Sequence, residues 1–152
     1  MFPVRKIVAP TDFSEASKYG LRIAIEVAEK FEAELILVHV NVKPMIAGTH
    51  SKAEVRTKVD MLMASLQTEV RKQLDKLTEE LIPDHLRCDV RLIDGHPAEE
   101  ITRLAKEEGV DMIVMSTHGY SGFKHLLSGS VAERVVRTAH CPVLTVRPHE
   151  QE

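Results

Sequence analysis

The chain contains no tryptophan, only two tyrosines and four phenylalanines, and two cysteines. So few aromatics cannot build the stacked-ring platforms on which proteins lay out single-stranded nucleic acid. Cys88 and Cys141 stand in unrelated apolar runs without C-x-x-C spacing. That excludes a disulfide framework and a paired redox centre, and it favours a reducing compartment. No apolar stretch approaches the roughly 18 residues of a membrane span, and the first strand-like run starts too close to Met1 to leave room for a signal peptide. A dominant charge is missing too. Twenty lysines and arginines stand against twenty-three aspartates and glutamates, a formal charge of −3, with the basic residues scattered where a nucleic-acid reader would gather them into a stripe. The expectation is a cytoplasmic protein with no nucleic-acid and no membrane partner. Any anionic ligand must then be held by local donors, because the global field does not attract it.

What is present is a regular alternation. Short runs rich in Val, Ile and Leu occur at Lys6–Ala9, Leu35–Val42, Val90–Ile93, Met112–Met115 and Val143–Val146. They lack strict alternation, as strands buried on both faces do. Helical patterns lie between them. The first, Ser14 to Phe31, places Ala16, Leu21, Ala24, Ile25 and Ala28 on one face, and the third, Ala98 to Glu108, uses Ile101, Leu104 and Ala105 between Pro97 and Gly109. The second is the longest: Val55, Val59, Leu62, Leu66, Val70, Leu74, Leu77 and Leu81 recur at spacings of three and four until Pro83. It reads as an amphipathic crossover helix. Residues 43–52, with Pro44 and Gly48, read as a flexible surface loop, and residues 148–152 as a tail. The 152 residues fit one domain, residues 1–152. Strands joined by helices imply an α/β fold, a doubly wound five-stranded parallel sheet with helices on both faces. Ligands of such sheets settle outside the carboxyl ends of the strands, where the strand order reverses.

Two strand ends have unusual composition. "APTDFSEAS" follows the first strand and puts Asp12 at the mouth of the sheet. After the fourth strand comes "STHGYSGFKHLLSGSVAERV", residues 116 to 135, with three glycines and four serines. The connection from Thr117 to Gly129 exceeds the roughly 2–6 residues usual between a strand and its helix. It closes on Ser130-x-x-Glu133, an S-x-x-E pattern that predicts a capping box at the last helix. A helix start also offers unpaired amides and the positive end of the helix dipole, and glycine lets a phosphate approach closely. Gly119 and Gly129, with the hydroxyls of Ser128 and Ser130, are the candidate donors, and His118 and Lys124 lie within the same loop.

This stretch resembles the nucleotide-loop signature of the universal stress protein family, G-x2-G-x9-G-[ST], met here by Gly119, nine residues and Gly129-Ser130. "KIVAPTDFSEAS" at 6 to 17, "LVHV" at 37 to 40, "GHPAEEI" at 95 to 101 and "CPVLTVR" at 141 to 147 are also similar to that family, in order along the whole chain. The resemblance implies strand order 3-2-1-4-5, Rossmann-like, and an adenine nucleotide, ATP, accompanied by Mg or Mn bound through its phosphates. It places Pro10, Thr11 and Asp12 at the ribose and adenine side, and Val40 at the adenine through its backbone. Met115, Gly119, Gly129, Ser130 and Val131 would border ribose and phosphates. It further implies a stress-response sensor or adaptor that forms a homodimer through the last strand, Val143–Val146. One position departs: Ser116 stands where the signature begins with glycine. A serine there either strains a left-handed backbone or keeps a strand-end conformation and offers a hydroxyl.

Other constellations are weaker. The eight histidines show no H-x-x-x-H or Cys/His spacing, so no protein-built metal site is expected. There is no Walker signature, and no acid, base and nucleophile can be nominated together, so no dedicated catalysis is expected beyond slow ATP hydrolysis. A phosphorylation receiver would use Asp12, Asp94 and Thr117 but needs a lysine where Arg147 stands. The rival with more substance is a dimeric interaction module of the same family that binds no nucleotide, with Ser116 marking its degenerate pocket.

Overall fold

The five apolar runs become strands, and the periodic segments between them become helices. The computed structural model describes residues 2–42, 53–118 and 129–149. The elements are β1 (Lys6–Pro10), α1 (Glu15–Phe31), β2 (Glu34–Asn41), α2 (Ala53–Leu81), β3 (Cys88–Asp94), α3 (Pro97–Glu107), β4 (Met112–Ser116), α4 (Ser130–Thr138) and β5 (Val143–Val146). The strands pair in parallel in the order β3-β2-β1-β4-β5. The chain divides into two compact units, Met1–Val42 with Ile82–Glu152, and Lys43–Leu81. The expected loop at 43–52 and the residues from 150 onward lie outside the described residues.

In the first unit, alternation along the central strands supplies two apolar faces. Val8 of β1, Ile36, Val38 and Val40 of β2, and Ile113 and Met115 of β4 join one core with Ala98, Ile101, Leu104 and Ala105 of α3 and Ala132 and Val135 of α4. The intervening Ile7, Ala9, Leu35, Leu37 and Val114 are equally buried and belong to the other face, where α1 packs on β1 and β4 with its buried Leu21, Ala24, Ile25 and Ala28. The helix ends follow local chemistry. Ser14 caps α1 by accepting from the Ser17 amide, Glu32 closes it in a left-handed conformation, and Pro97 opens α3.

The second unit contains α2, 29 residues long. Of its periodic apolar residues Leu74 and Leu77 are buried, whereas Val55, Leu62 and Leu66 are exposed. Ion pairs one turn apart, Arg71 with Asp75 at 3.4 Å and Lys76 with Glu80 at 3.8 Å, support its last turns.

The site is prepared by how β1 pairs on its two sides. With β2 the register runs from Lys6↔Glu34 to Pro10↔Val38. With β4 it comprises Ile7↔Met112 and Val8↔Ile113. Beyond Val8 the two central strands part, and a crevice opens at their carboxyl ends where the strand order reverses.

Candidate functional site

The crevice leads into a cavity of about 410 Å³, within the size range of small-molecule sites. Pro10, Thr11, Asp12 and Ser17 line it from β1 and the start of α1, and His39, Val40, Asn41 and Val42 from the end of β2. Pro97 and Ile101 come from α3, Met115 to His118 from the end of β4 and the two residues after it, and Gly129 to Ala132 from the start of α4.

The turn after β1 is dense with hydrogen bonds. The Thr11 amide donates to the Val38 carbonyl at 2.8 Å, and the Phe13 amide donates to Thr11 Oγ1 at 3.1 Å. Asp12 Oδ1 accepts from the Ser14 amide at 3.0 Å and from Ser14 Oγ at 2.5 Å. Ser14 Oγ in turn accepts from the Ser17 amide at 3.1 Å, so the carboxylate and the helix cap share one hydroxyl. Phe13 has φ 67°, a left-handed conformation unusual for an aromatic residue. Asp12 is therefore presented at the rim of the crevice by a turn that its own side chain helps to hold.

The opposite wall is the start of α4, and here the capping-box expectation is corrected. Ser130 is the first helical residue, not the cap; the cap is Gly129, which has no side chain to offer. Glu133 does not return to Ser130: its Oε1 accepts from Arg137 at 2.7 Å on the exposed side of the helix. The reason is the Gly129 amide, which donates to the Thr117 carbonyl in a short hydrogen bond and so sets the helix boundary one residue early. Gly129 is extended, with φ −69° and ψ 155°. Its value lies in closeness, since a β-carbon there would stand 2.7 Å from the Thr117 oxygen. The first bond of the helical ladder runs from the Glu133 amide to the Gly129 carbonyl at 3.0 Å. The amides of Ser130, Val131 and Ala132 precede it, and among the described residues they meet no acceptor.

Ser116 resolves the alternatives posed by the sequence. It is the last residue of β4, paired with Val146, and it keeps the strand-end conformation. Its hydroxyl donates to the His118 carbonyl at 2.8 Å. Serine therefore introduces no left-handed strain, and it ties down the first residues beyond the strand.

Pro10, Thr11, Asp12, Val40, Met115, Ser116, His118, Gly129, Ser130 and Val131, the residues expected at a ligand, all line this one cavity. Gly119, with Lys124 and Ser128, lies outside the described residues. Ser17, His39, Asn41, Val42, Pro97, Ile101, Thr117 and Ala132 also line it and were not anticipated. His39 was within reach of pattern reasoning, because it sits at the carboxyl end of a strand that borders the switch point. Thr117 has a separate signature: its Oγ1 is buried with no hydrogen-bond partner among the described residues. Such an atom costs about 1–3 kcal/mol unless something supplies a partner.

The sequence profile of the Universal stress protein family matches residues 3–147. The chain belongs to the universal stress protein family. Among its relatives, Universal stress protein MJ0531 of Methanocaldococcus jannaschii is 36% identical over 149 residues, covering 97% of this chain and 85% of the relative. The solved structure of MJ0577, from the same organism, superposes with a TM-score of 0.79 at 31% identity, covering 98% of this chain and 99% of the other. A universal stress protein solved in complex with cAMP shares the fold, with a TM-score of 0.71 at 22% identity over 98% of this chain and 99% of its own. In this universal stress protein chain no helix of the described residues is long and apolar enough to cross a membrane, and no group of three or more potential metal ligands occurs among them.

Proposed function

We propose that this chain binds ATP in the cavity between the carboxyl ends of β1 and β4 and acts in the cytoplasm as a stress-response sensor or adaptor. The observation that carries the reading is the start of α4. Three successive amides, those of Ser130, Val131 and Ala132, reach the cavity wall without an acceptor among the described residues, behind a cap that lacks a side chain. Amides in that arrangement, at the positive end of a helix dipole, suit a phosphate chain. Asp12 stands on the other wall, where a carboxylate would accept hydrogen bonds from ribose hydroxyls, which donate, whereas deprotonated phosphate oxygens have no proton to offer it. The apolar residues in the lining, Val40, Val42, Pro97 and Ile101, suit a flat base. The cAMP complex of a structural neighbour supports an adenine nucleotide as the ligand class.

A divalent ion fits this site as a companion of the nucleotide. With no cluster of ligating side chains among the described residues, Mg²⁺ or Mn²⁺ would be held chiefly by phosphate oxygens and water. The chain's own residues then bind and orient. We further assign homodimerisation to β5, which lies at one edge of the sheet.

The test is direct. Acid extraction of the purified protein followed by anion-exchange chromatography is expected to release an adenine nucleotide, and calorimetry on the stripped protein is expected to show ATP binding with Mg²⁺ or Mn²⁺. No nucleotide in the extract together with no calorimetric signal would favour the nucleotide-free interaction module.

A further inference from the structure

His39 lies one residue before Val40 on β2, and the strand's alternation turns the two to opposite faces. Val40 enters the core beneath α3. His39 instead reaches the turn after β1, 28 residues away in sequence. Its Nδ1 lies 2.8 Å from the Thr11 carbonyl oxygen. A carbonyl can only accept, so Nδ1 carries the proton and the ring's tautomer is set by that bond. The same ring lies against Phe13, with centroids 4.5 Å apart and planes tilted by 35°. Thr11 is gripped twice by β2, through its amide on the Val38 carbonyl and through its own carbonyl on His39.

Asp12 stands between these two anchored neighbours. A left-handed aromatic such as Phe13 persists only where the surroundings over-determine its backbone, and such outliers gather at ligand sites. We propose that His39 is the positioning residue for Asp12: by holding the Thr11 carbonyl and the Phe13 ring it fixes where the Asp12 carboxylate meets the nucleoside. Ser14 sets the carboxylate's rotamer, and His39 sets the backbone that carries it. The inference rests on the reading that this cavity binds ATP.

Calorimetry with ATP and with inorganic triphosphate tests it on the full chain, its His39→Leu and His39→Asn variants, Asp12→Ala and the His39→Leu/Asp12→Ala double variant. His39→Leu is expected to weaken ATP about tenfold while leaving triphosphate unchanged, and His39→Asn, whose amide nitrogen can donate from the position of Nδ1, is expected to recover most of the loss. In the Asp12→Ala background His39→Leu should change nothing further, because residues that act through one group are not additive. Should His39→Leu fail to fold, His39→Phe keeps a ring against Phe13, drops the hydrogen bond and takes its place in the comparison. Equal losses for ATP and triphosphate, or full additivity with Asp12→Ala, would reduce His39 to a support of the fold and overturn the proposal. A parent protein that binds no nucleotide would overturn the ATP reading, and this proposal with it.

Discussion

Gly20 of α1 lies against the backbone of Ser116 at the end of β4, so closely that a β-carbon on Gly20 would stand 2.9 Å from the Ser116 nitrogen. A glycine in mid-helix costs about 1 kcal/mol relative to alanine, and this contact is what its absence of a side chain permits. The helix presses on the strand end from which Thr117 and His118 enter the cavity wall. Gly20→Val is therefore expected to lower the unfolding free energy by about 1–3 kcal/mol, as overpacking does, and to weaken ATP binding with it. Denaturant unfolding and calorimetry read the two effects, and unchanged values in both would mean that α1 can move off the strand without consequence.

Gly129 makes the second close approach. A side chain there would collide with the Thr117 carbonyl, breaking the bond that sets the start of α4 and swinging the amides of Ser130 to Ala132 away from the cavity. Gly129→Val should reduce ATP affinity more than tenfold, or about 1.4 kcal/mol, with the circular dichroism of the sheet and helices retained. An affinity equal to the parent's would remove these amides from the site.

The outer edge of β5 can be probed without touching its inner one. The Ile113 amide donates to the carbonyl of Pro142, just before β5, at 3.0 Å and the Thr117 amide to the Val146 carbonyl at 2.9 Å, so these two carbonyls face β4. Alternation turns the main-chain groups of Val143 and Thr145 the other way. Thr145→Pro deletes an outward amide that an edge-to-edge partner would use. Light scattering is expected to show a dimer for the parent and a monomer for the variant, and a variant dimer as tight as the parent would move the interface elsewhere.

Cys88 offers a test by pH. Burial, reinforced by the neighbouring Asp89 and Glu34 carboxylates, pushes its thiol from the ordinary 9.0 up to about 11, and burial raises Cys141 as well. At pH 8 the native Cys88 is thus a protonated, poor nucleophile. Iodoacetamide should modify it slowly in the folded protein and quickly in denaturant, with mass spectrometry locating the adduct. Since the unfolded thiol ionises first, its contribution to stability is complete below pH 9 and is lost as the pH rises toward 11. Fast modification of the native protein at pH 8 would contradict the partial burial that raises the Cys88 thiol.

Much of the architecture is legible in local pattern. The run at residues 35–42 marks β2 to within one residue at each end, and Pro97 and Gly109 bracket α3 where the rules of helix ends put them. The run at 90–93 understates β3, which begins at Cys88 and ends at Asp94, because Cys88, Asp89 and Asp94 carry no strand signal and are drawn in by pairing with Leu35, Ile36 and Asn41. At the site, composition singled out Asp12 and Gly129 but missed His39 and Thr117. Their roles arise from contacts with Thr11 and Gly129, which no spacing along the chain reveals.

The order of strands and helices, the doubly wound class and the family are properties of the sequence itself, because periodicity, glycine and proline act over a few neighbouring residues. Folding decided the rest: that β1 and β4 part beyond Val8, that Ser130 begins α4 without capping it, that Gly20 meets Ser116, and that His39 grips the turn of Asp12. Each depends on backbones brought to within a few ångströms of one another from distant parts of the chain. Only the closed packing of helix on sheet sets such distances.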